Sequence, residues 1–127
     1  MPHLIVEYSA NLTAAADVAA LLHAVHDAAL ATGLAPLDGL RTRAERRTEY
    51  VIADDHPDNA FVAIVARLGP GRSPAEKHAL LDALIAAAER SLGAAVVNVM
   101  LSAEFQEIDA QFRINRSHLR ETIAARA

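Results

Sequence analysis

The chain of 127 residues contains no cysteine and no tryptophan, and only 4% of its residues are aromatic. Lack of cysteine excludes disulfides and thiolate metal sites and fits a reducing compartment. No apolar run reaches the roughly 18–20 residues of a membrane span, and no basic region followed by an apolar run indicates a signal peptide. These absences predict a cytoplasmic protein without a membrane partner, with a core of small and branched aliphatic side chains.

The chain also lacks a surplus of positive charge, because its formal net charge is −4. General nucleic-acid binding needs a basic face, so no nucleic-acid partner is expected. An anionic small molecule would need a local cationic pocket, since the field of the whole protein opposes its approach. With 53% hydrophobic residues, the chain is expected to form one domain over residues 1–127.

The order of elements predicts an internal duplication. Gly33 and Gly93 each end a helical pattern and lie 60 positions apart, and Thr13 and Ser73, candidate helix caps, have the same spacing. The repeats cover approximately 2–52 and 60–108, and each is predicted to form strand, helix, strand. The predicted strands are about 4–9, 39–52, 60–68 and 95–105, and the predicted helices are about 14–32, 75–92 and, in the tail, 117–125.

This β-α-β-β-α-β order predicts an α+β fold with one four-stranded sheet and two helices on one face, joined by right-handed crossovers. Residues 4–6, 61–65 and 96–101 are almost continuously apolar. Strands of this kind are typically covered on both faces. Because no helix remains for the second face, a second copy of the chain is expected to cover it, and we predict an obligate homo-oligomer.

Pro2 follows the initiator methionine directly, at the start of an apolar strand. Removal of Met1 would leave Pro2 with a free secondary amine. Burial disfavours the charged form of an amine, so an N-terminal amine in a dry pocket can act as a general base near neutral pH. The alternative is an ordinary Met-Pro start without catalytic meaning.

Two arginines are candidate carboxylate-binding residues. Arg72 lies in the turn Gly69–Ser73 before a helix, where the helix N-terminus and a guanidinium could bind a carboxylate together. Arg41 lies early in the second strand and shares a face with Arg43 and, if the strand stays regular, Arg47. The alternatives are a solvated turn arginine and a charged, solvated strand edge.

Other polar residues form no recognisable chemical site. His23 and His26 have i, i+3 spacing, but two ligands without a third make a poor metal site. No metal ion or cofactor is therefore expected. Glu104 and Glu107 could be taken for carboxylates that activate water, but they are expected to face solvent.

Together these residues resemble the tautomerase superfamily, and over most of the chain they resemble the 5-carboxymethyl-2-hydroxymuconate Δ-isomerase family. The resemblance rests on Pro2–Ser9, Ala31–Leu37, Gly39–Arg43, Phe61-Val62 and Gly71–Ser73. It implies a cytoplasmic homotrimer in which Pro2 is the catalytic base and Arg41 and Arg72 are the catalytic arginines. The implied reaction is a cofactor-free enol-to-ketone isomerisation of an unsaturated dicarboxylate or tricarboxylate in homoprotocatechuate catabolism.

Two alternative functions stay open at this point. One is another tautomerase-type enzyme, either a phenylpyruvate-type keto–enol tautomerase or a dehalogenase-like hydratase. The other is a non-enzymatic oligomeric protein that binds a small acid.

Overall fold

The fold is a four-stranded mixed sheet with the two long helices packed against each other. The computed structural model describes all residues from Met1 to Ala127. Its elements are β1 (His3–Ser9), α1 (Val18–Ala31), β2 (Arg41–Arg47), β3 (Ala60–Leu68), α2 (Pro74–Leu92), β4 (Val99–Glu107) and α3 (Leu119–Arg126). The strand order is β2-β1-β3-β4; β1 and β3 are antiparallel and both outer pairs are parallel. This confirms the predicted α+β fold.

One face of the sheet forms the hydrophobic core with both long helices. Successive strand residues point to opposite faces, so Leu4, Val6 and Tyr8 are buried and the residues between them are less so. The core of 18 buried residues draws on β1, β3, α1 and α2. None of the helices has the length and apolarity needed to cross a membrane.

The two helices begin differently. Ser73 caps α2 as predicted: its side chain accepts a hydrogen bond from the Glu76 backbone, and the Glu76 side chain accepts one from the Ser73 backbone. The predicted cap at Thr13 is wrong. Thr13 donates to the Ala10 carbonyl within a 3₁₀ turn. Helix α1 begins at Val18, four residues after its predicted start, and is capped by Asp17.

Both edge strands differ from the predicted ranges, because an edge strand can pair only along the length of its single neighbour. β2 is shorter than 39–52 at both ends, whereas β4 begins later and ends later than 95–105. The last pair of β1 and β2 joins Ser9 to Arg47, so β2 does not continue to residue 52. The first pair of β3 and β4 joins Ala60 to Val99, so β4 does not begin at residue 95.

The second sheet face has no helix across it. Ile5 and Val65 face each other across the central strand pair, and both are only half-buried in the single chain. Phe61 is also half-buried there, and its cross-strand neighbour Met100 is 61% exposed. The apolar residues of this open face are therefore left without full cover within one chain, and a covering second copy stays a prediction.

Candidate active site

Pro2 is buried where β1 begins, and two backbone features fix its place. Its carbonyl accepts a hydrogen bond from the Arg41 backbone at 3.2 Å, which continues the pairing of β1 with β2. Its ring packs against Gly39: a Cβ on Gly39 would lie 3.3 Å from the Pro2 Cδ. The missing side chain of Gly39 therefore allows the loop before β2 to close over the proline.

A small cavity adjoins this position. Its volume is about 200 Å³, below the roughly 300–1,000 Å³ of sites for drug-sized ligands. Its lining is rich in proline, glycine and arginine: Met1, Pro2, Pro36, Asp38, Gly39, Gly69, Pro70, Arg72, Arg113 and Arg120. Three arginines against one aspartate give an excess of two positive charges. The cavity therefore suits a small acid with more than one carboxylate.

Arg72 lines this cavity and also holds two segments together. Its Nε and Nη2 donate to the Leu34 carbonyl at 3.2 and 2.7 Å, and its Nη1 donates to the Gly69 carbonyl at 3.0 Å. A guanidinium has five N–H donors, so two remain for a ligand. No carboxylate of the chain forms an ion pair with Arg72. The residue is anchored by backbone carbonyls while its charge stays unneutralised.

Arg41 approaches the N-terminus from the open sheet face. Its Nη2 lies 3.0 Å from the Met1 carbonyl oxygen and 3.0 Å from His3 Nε2, while Arg43 Nη1 lies 3.1 Å from His3 Nδ1. As predicted, Arg41 and Arg43 share one face. Arg47 lies on the same face, because β2 stays regular to its end, and forms ion pairs with Glu7 and Glu45.

The imidazole of His3 stays neutral in this setting. Burial, and then the charges of Arg41, Arg43 and Arg67, lower the pKa of His3 from its ordinary value of 6.5. A neutral imidazole has only one acceptor nitrogen, so it can accept from Arg41 or from Arg43 but not from both. The arginines here are therefore incompletely satisfied by the chain itself.

The amine at the chain start titrates in the field of three arginines. Burial lowers the pKa of the Met1 amine from its ordinary value of 8.0, and Arg113, Arg41 and Arg72 lower it further, in that order. A lowered pKa means that the unprotonated, basic form is populated at lower pH. The electrostatics around the N-terminus therefore favour a free base.

Arg113 is the site residue that sequence reasoning missed. It belongs to the tail after β4, where neither hydrophobic periodicity nor a helix cap indicates a fixed position. A usable signal was Gly69: a Cβ there would lie 2.6 Å from both Nη atoms of Arg113, so this glycine leaves room for a side chain.

The other candidates lie outside this cavity. His26 bonds through Nδ1 to the Thr42 hydroxyl at 2.7 Å, and His23 is exposed. As expected, Glu104 and Glu107 are exposed, and Glu107 forms an ion pair with Lys77 at 3.0 Å. None of these side chains lines the cavity beside Pro2.

Comparison with known proteins decides the family. Residues 2–123 match the family model described as 5-carboxymethyl-2-hydroxymuconate isomerase. The chain belongs to the 5-carboxymethyl-2-hydroxymuconate isomerase family. This confirms the resemblance drawn from the sequence, and the matched range contains Pro2, Arg41, Arg72 and Arg113.

Individual members of this isomerase family are similar in sequence and fold. Over 73 residues the chain is 40% identical to the 5-carboxymethyl-2-hydroxymuconate Delta-isomerase of Escherichia coli, and the alignment spans only 58% of each protein. A 5-carboxymethyl-2-hydroxymuconate isomerase crystal structure from Deinococcus radiodurans R1 is 32% identical with a TM-score of 0.86, covering 96% of this chain and 93% of that one. A fused 4-OT wild-type symmetric trimer is 28% identical with a TM-score of 0.58, covering 83% and 85%.

Proposed function

We propose that this chain is a cofactor-independent isomerase that converts 5-carboxymethyl-2-hydroxymuconate from its enol to its ketone form. The observation that carries this proposal is the burial of Pro2 beside a cavity with an excess of two positive charges. The substrate would be a small unsaturated acid with several carboxylates, which complements that charge. Membership of the isomerase family supports the same conclusion. A cytoplasmic location remains a prediction from composition.

In the proposed reaction, the Pro2 nitrogen acts once Met1 has been removed. It takes the proton of the enol hydroxyl, so that the O–H bond breaks and a dienolate forms. The double bonds then shift, and the prolinium returns its proton to a carbon atom to give the conjugated ketone. The base is regenerated, and no atom is gained or lost. A base acting in this way typically contributes about 10²–10⁴-fold.

Arg41 is proposed to stabilise the dienolate. In the unprocessed chain its Nη2 donates at 3.0 Å to the Met1 carbonyl oxygen, an atom on the carbon bonded to the Pro2 nitrogen. This oxygen stands in for a substrate oxygen close to the base. When Met1 is absent, Arg41 Nη2 loses this acceptor and can donate to a substrate oxygen at the same position. A cation directed at a developing negative charge lowers the barrier because the charge grows in the transition state.

Isomerase activity and its pH dependence test this proposal. We expect the chain starting at Pro2 to convert a 2-hydroxymuconate substrate, followed by ultraviolet absorbance. Deprotonation of the amine should make kcat/KM rise with pH and then level off. Since the arginines lower the pKa of the amine, this rise should occur at lower pH than for an ordinary amine. Pro2→Ala leaves a more flexible primary amine and should be folded but at least about tenfold slower. Equal rates for the two proteins would contradict the role of Pro2.

The charge of the cavity separates the enzymatic alternatives. A phenylpyruvate-type substrate has one carboxylate and would leave one excess positive charge without a partner. We therefore expect dicarboxylate enols to be better substrates than monocarboxylate enols. A panel of both classes, assayed with the same protein, distinguishes these activities from each other and from a binding protein without activity.

We also propose a homotrimer. The surface of the single chain is 7609 Å², whereas a compact monomer of 13.5 kDa should expose about 6,500 Å². The excess agrees with an uncovered sheet face, and the likeness to a chain of the fused 4-OT trimer supports three copies. Light scattering at micromolar concentration should give a mass near three chains; a monomer alone would contradict this assembly.

A further inference from the structure

Arg113 is half-buried, and one nitrogen of its guanidinium is buried without a hydrogen-bond partner in the chain. Its Nη1 is buried and makes no hydrogen bond, and no carboxylate forms an ion pair with its guanidinium. A buried charged donor without an acceptor is destabilising. Native structures keep such groups mainly where something else supplies the acceptor. The guanidinium therefore lacks an acceptor within the chain, and the cavity that Arg113 lines is the place from which a ligand would supply one.

The backbone is shaped to hold this guanidinium. A Cβ on Gly69 would lie 2.6 Å from both Nη atoms and 2.9 Å from Cζ of Arg113. Gly69 has no positive φ, so its backbone does not require glycine. What glycine provides is space, and the space is occupied by Arg113. The side chain is thus seated directly against the turn that leads to Arg72.

The position of Arg113 makes it part of the Pro2 cavity. Among the charges that lower the pKa of the Met1 amine, that of Arg113 has the largest effect. Asp38 is the only carboxylate in the lining, and it is paired with Arg120. Asp38 is therefore not available to neutralise Arg113. Together with Arg72, Arg113 accounts for the two excess positive charges.

We propose that Arg113 is a substrate-binding residue that determines specificity, its guanidinium binding one carboxylate of the substrate while Arg72 binds another. This inference rests on the proposed function, since it assigns the substrate class of the same cavity. An acidic side chain from a second copy of the chain is the competing partner for Arg113, and the test below separates the two.

The test uses three variants of the full-length chain starting at Pro2. Arg113→Met removes the charge and all donors but keeps an unbranched, flexible side chain. Gly69→Ala leaves Arg113 in the sequence but displaces its guanidinium, at small structural cost because the displaced group is the end of a flexible side chain. Arg116→Met is the matched control, an exposed arginine three residues along the same tail.

Calorimetric titration with adipate, an unreactive dicarboxylate, and hexanoate, its monocarboxylate counterpart, measures the effect without turnover. Loss of a charged hydrogen-bonding partner should weaken adipate binding by roughly 10- to 100-fold in Arg113→Met, and hexanoate binding by less than about threefold. Gly69→Ala should change in the same direction, and Arg116→Met should match the parent. All variants should keep the parent's circular dichroism and molecular mass.

Three results would overturn the proposal. The first is adipate affinity in Arg113→Met within twofold of the parent, and the second is a parent that binds adipate no more tightly than hexanoate. The third is a change of oligomeric mass in Arg113→Met without selective loss of adipate binding, which would assign Arg113 to a subunit interface. A parent that binds adipate selectively but isomerises no enol would overturn the proposed reaction alone, leaving the role of Arg113 intact.

A kinetic measurement adds a second readout if the enzyme is active. Arg113 lowers the pKa of the Met1 amine, and we expect the same charge to lower the pKa of the Pro2 amine once Met1 is removed. Removal of Arg113 should then raise that pKa and move the rise of kcat/KM to higher pH. Other titratable groups near this amine are Asp38, Arg72 and Arg120 in the cavity and Arg41 and His3 on the sheet; all remain in Arg113→Met. An unchanged pH profile together with unchanged adipate affinity would remove Arg113 from the site.

Discussion

A chain that retains any residue ahead of Pro2 is expected to have no measurable isomerase activity. With Met1 present, the Pro2 nitrogen is part of a tertiary amide and cannot accept a proton near neutral pH. Met1 also lines the cavity, so it takes up space that the processed chain would leave to a ligand. Loss of a general base alone should cost about 10²–10⁴-fold, and blockage of the cavity should add to that. We expect this to be the largest effect of any single change.

The measurement compares one preparation before and after removal of an N-terminal extension that ends at Pro2. Mass spectrometry confirms the first residue of each sample, and the two samples should have the same melting temperature, since Pro2 keeps its carbonyl hydrogen bond to the Arg41 backbone. Activity should appear only after cleavage. Full activity with the extension intact would exclude Pro2 as the base, whatever the substrate.

Local signals in the sequence predicted much of the fold. The strand Ala60–Leu68 begins and ends as predicted, because an apolar run and a glycine-proline turn bound it. Helix α2 begins at its capping box. Two errors lie where the structure depends on a partner element: the ends of β2 and β4 are set by the lengths of β1 and β3, which the sequence of an edge strand does not encode. The error at the start of α1 is local, because Thr13 belongs to a 3₁₀ turn.

The candidate site was also predicted only in part, because local signals indicate some of its residues and contacts with distant residues position the others. Pro2 is identifiable because chain position alone gives it its chemistry, and Arg72 because a turn and a helix cap surround it. Arg113 was missed because its place results from the tail folding back onto Gly69, a contact across more than 40 residues. The space that Gly69 leaves is filled by this guanidinium.

Replacement of Arg72 is expected to have the second largest effect, since this residue has two tasks. Its fork satisfies the Leu34 and Gly69 carbonyls with three hydrogen bonds, and its charge faces the cavity. Arg72→Ala leaves two carbonyls without this donor and should lower the free energy of unfolding by about 2 kcal/mol. It should also reduce kcat/KM for dicarboxylate enols by about 10²–10³-fold, and for monocarboxylate enols by less.

Arg72→Lys separates the two tasks of this residue. Lysine keeps the charge but is a single point donor that cannot reproduce the planar fork. If the hydrogen bonds to the two carbonyls position the turn, Arg72→Lys should lower the free energy of unfolding almost as much as Arg72→Ala does. It should nevertheless keep part of the preference for dicarboxylates that Arg72→Ala loses. Arg90→Ala, an exposed arginine in the last turn of the same helix, is the control and should leave both quantities unchanged. Equal losses of kcat/KM for both substrate classes in Arg72→Ala would contradict carboxylate binding by Arg72. Its role would then be structural alone, because hydrogen bonds that connect two loops do not distinguish a substrate with one carboxylate from a substrate with two.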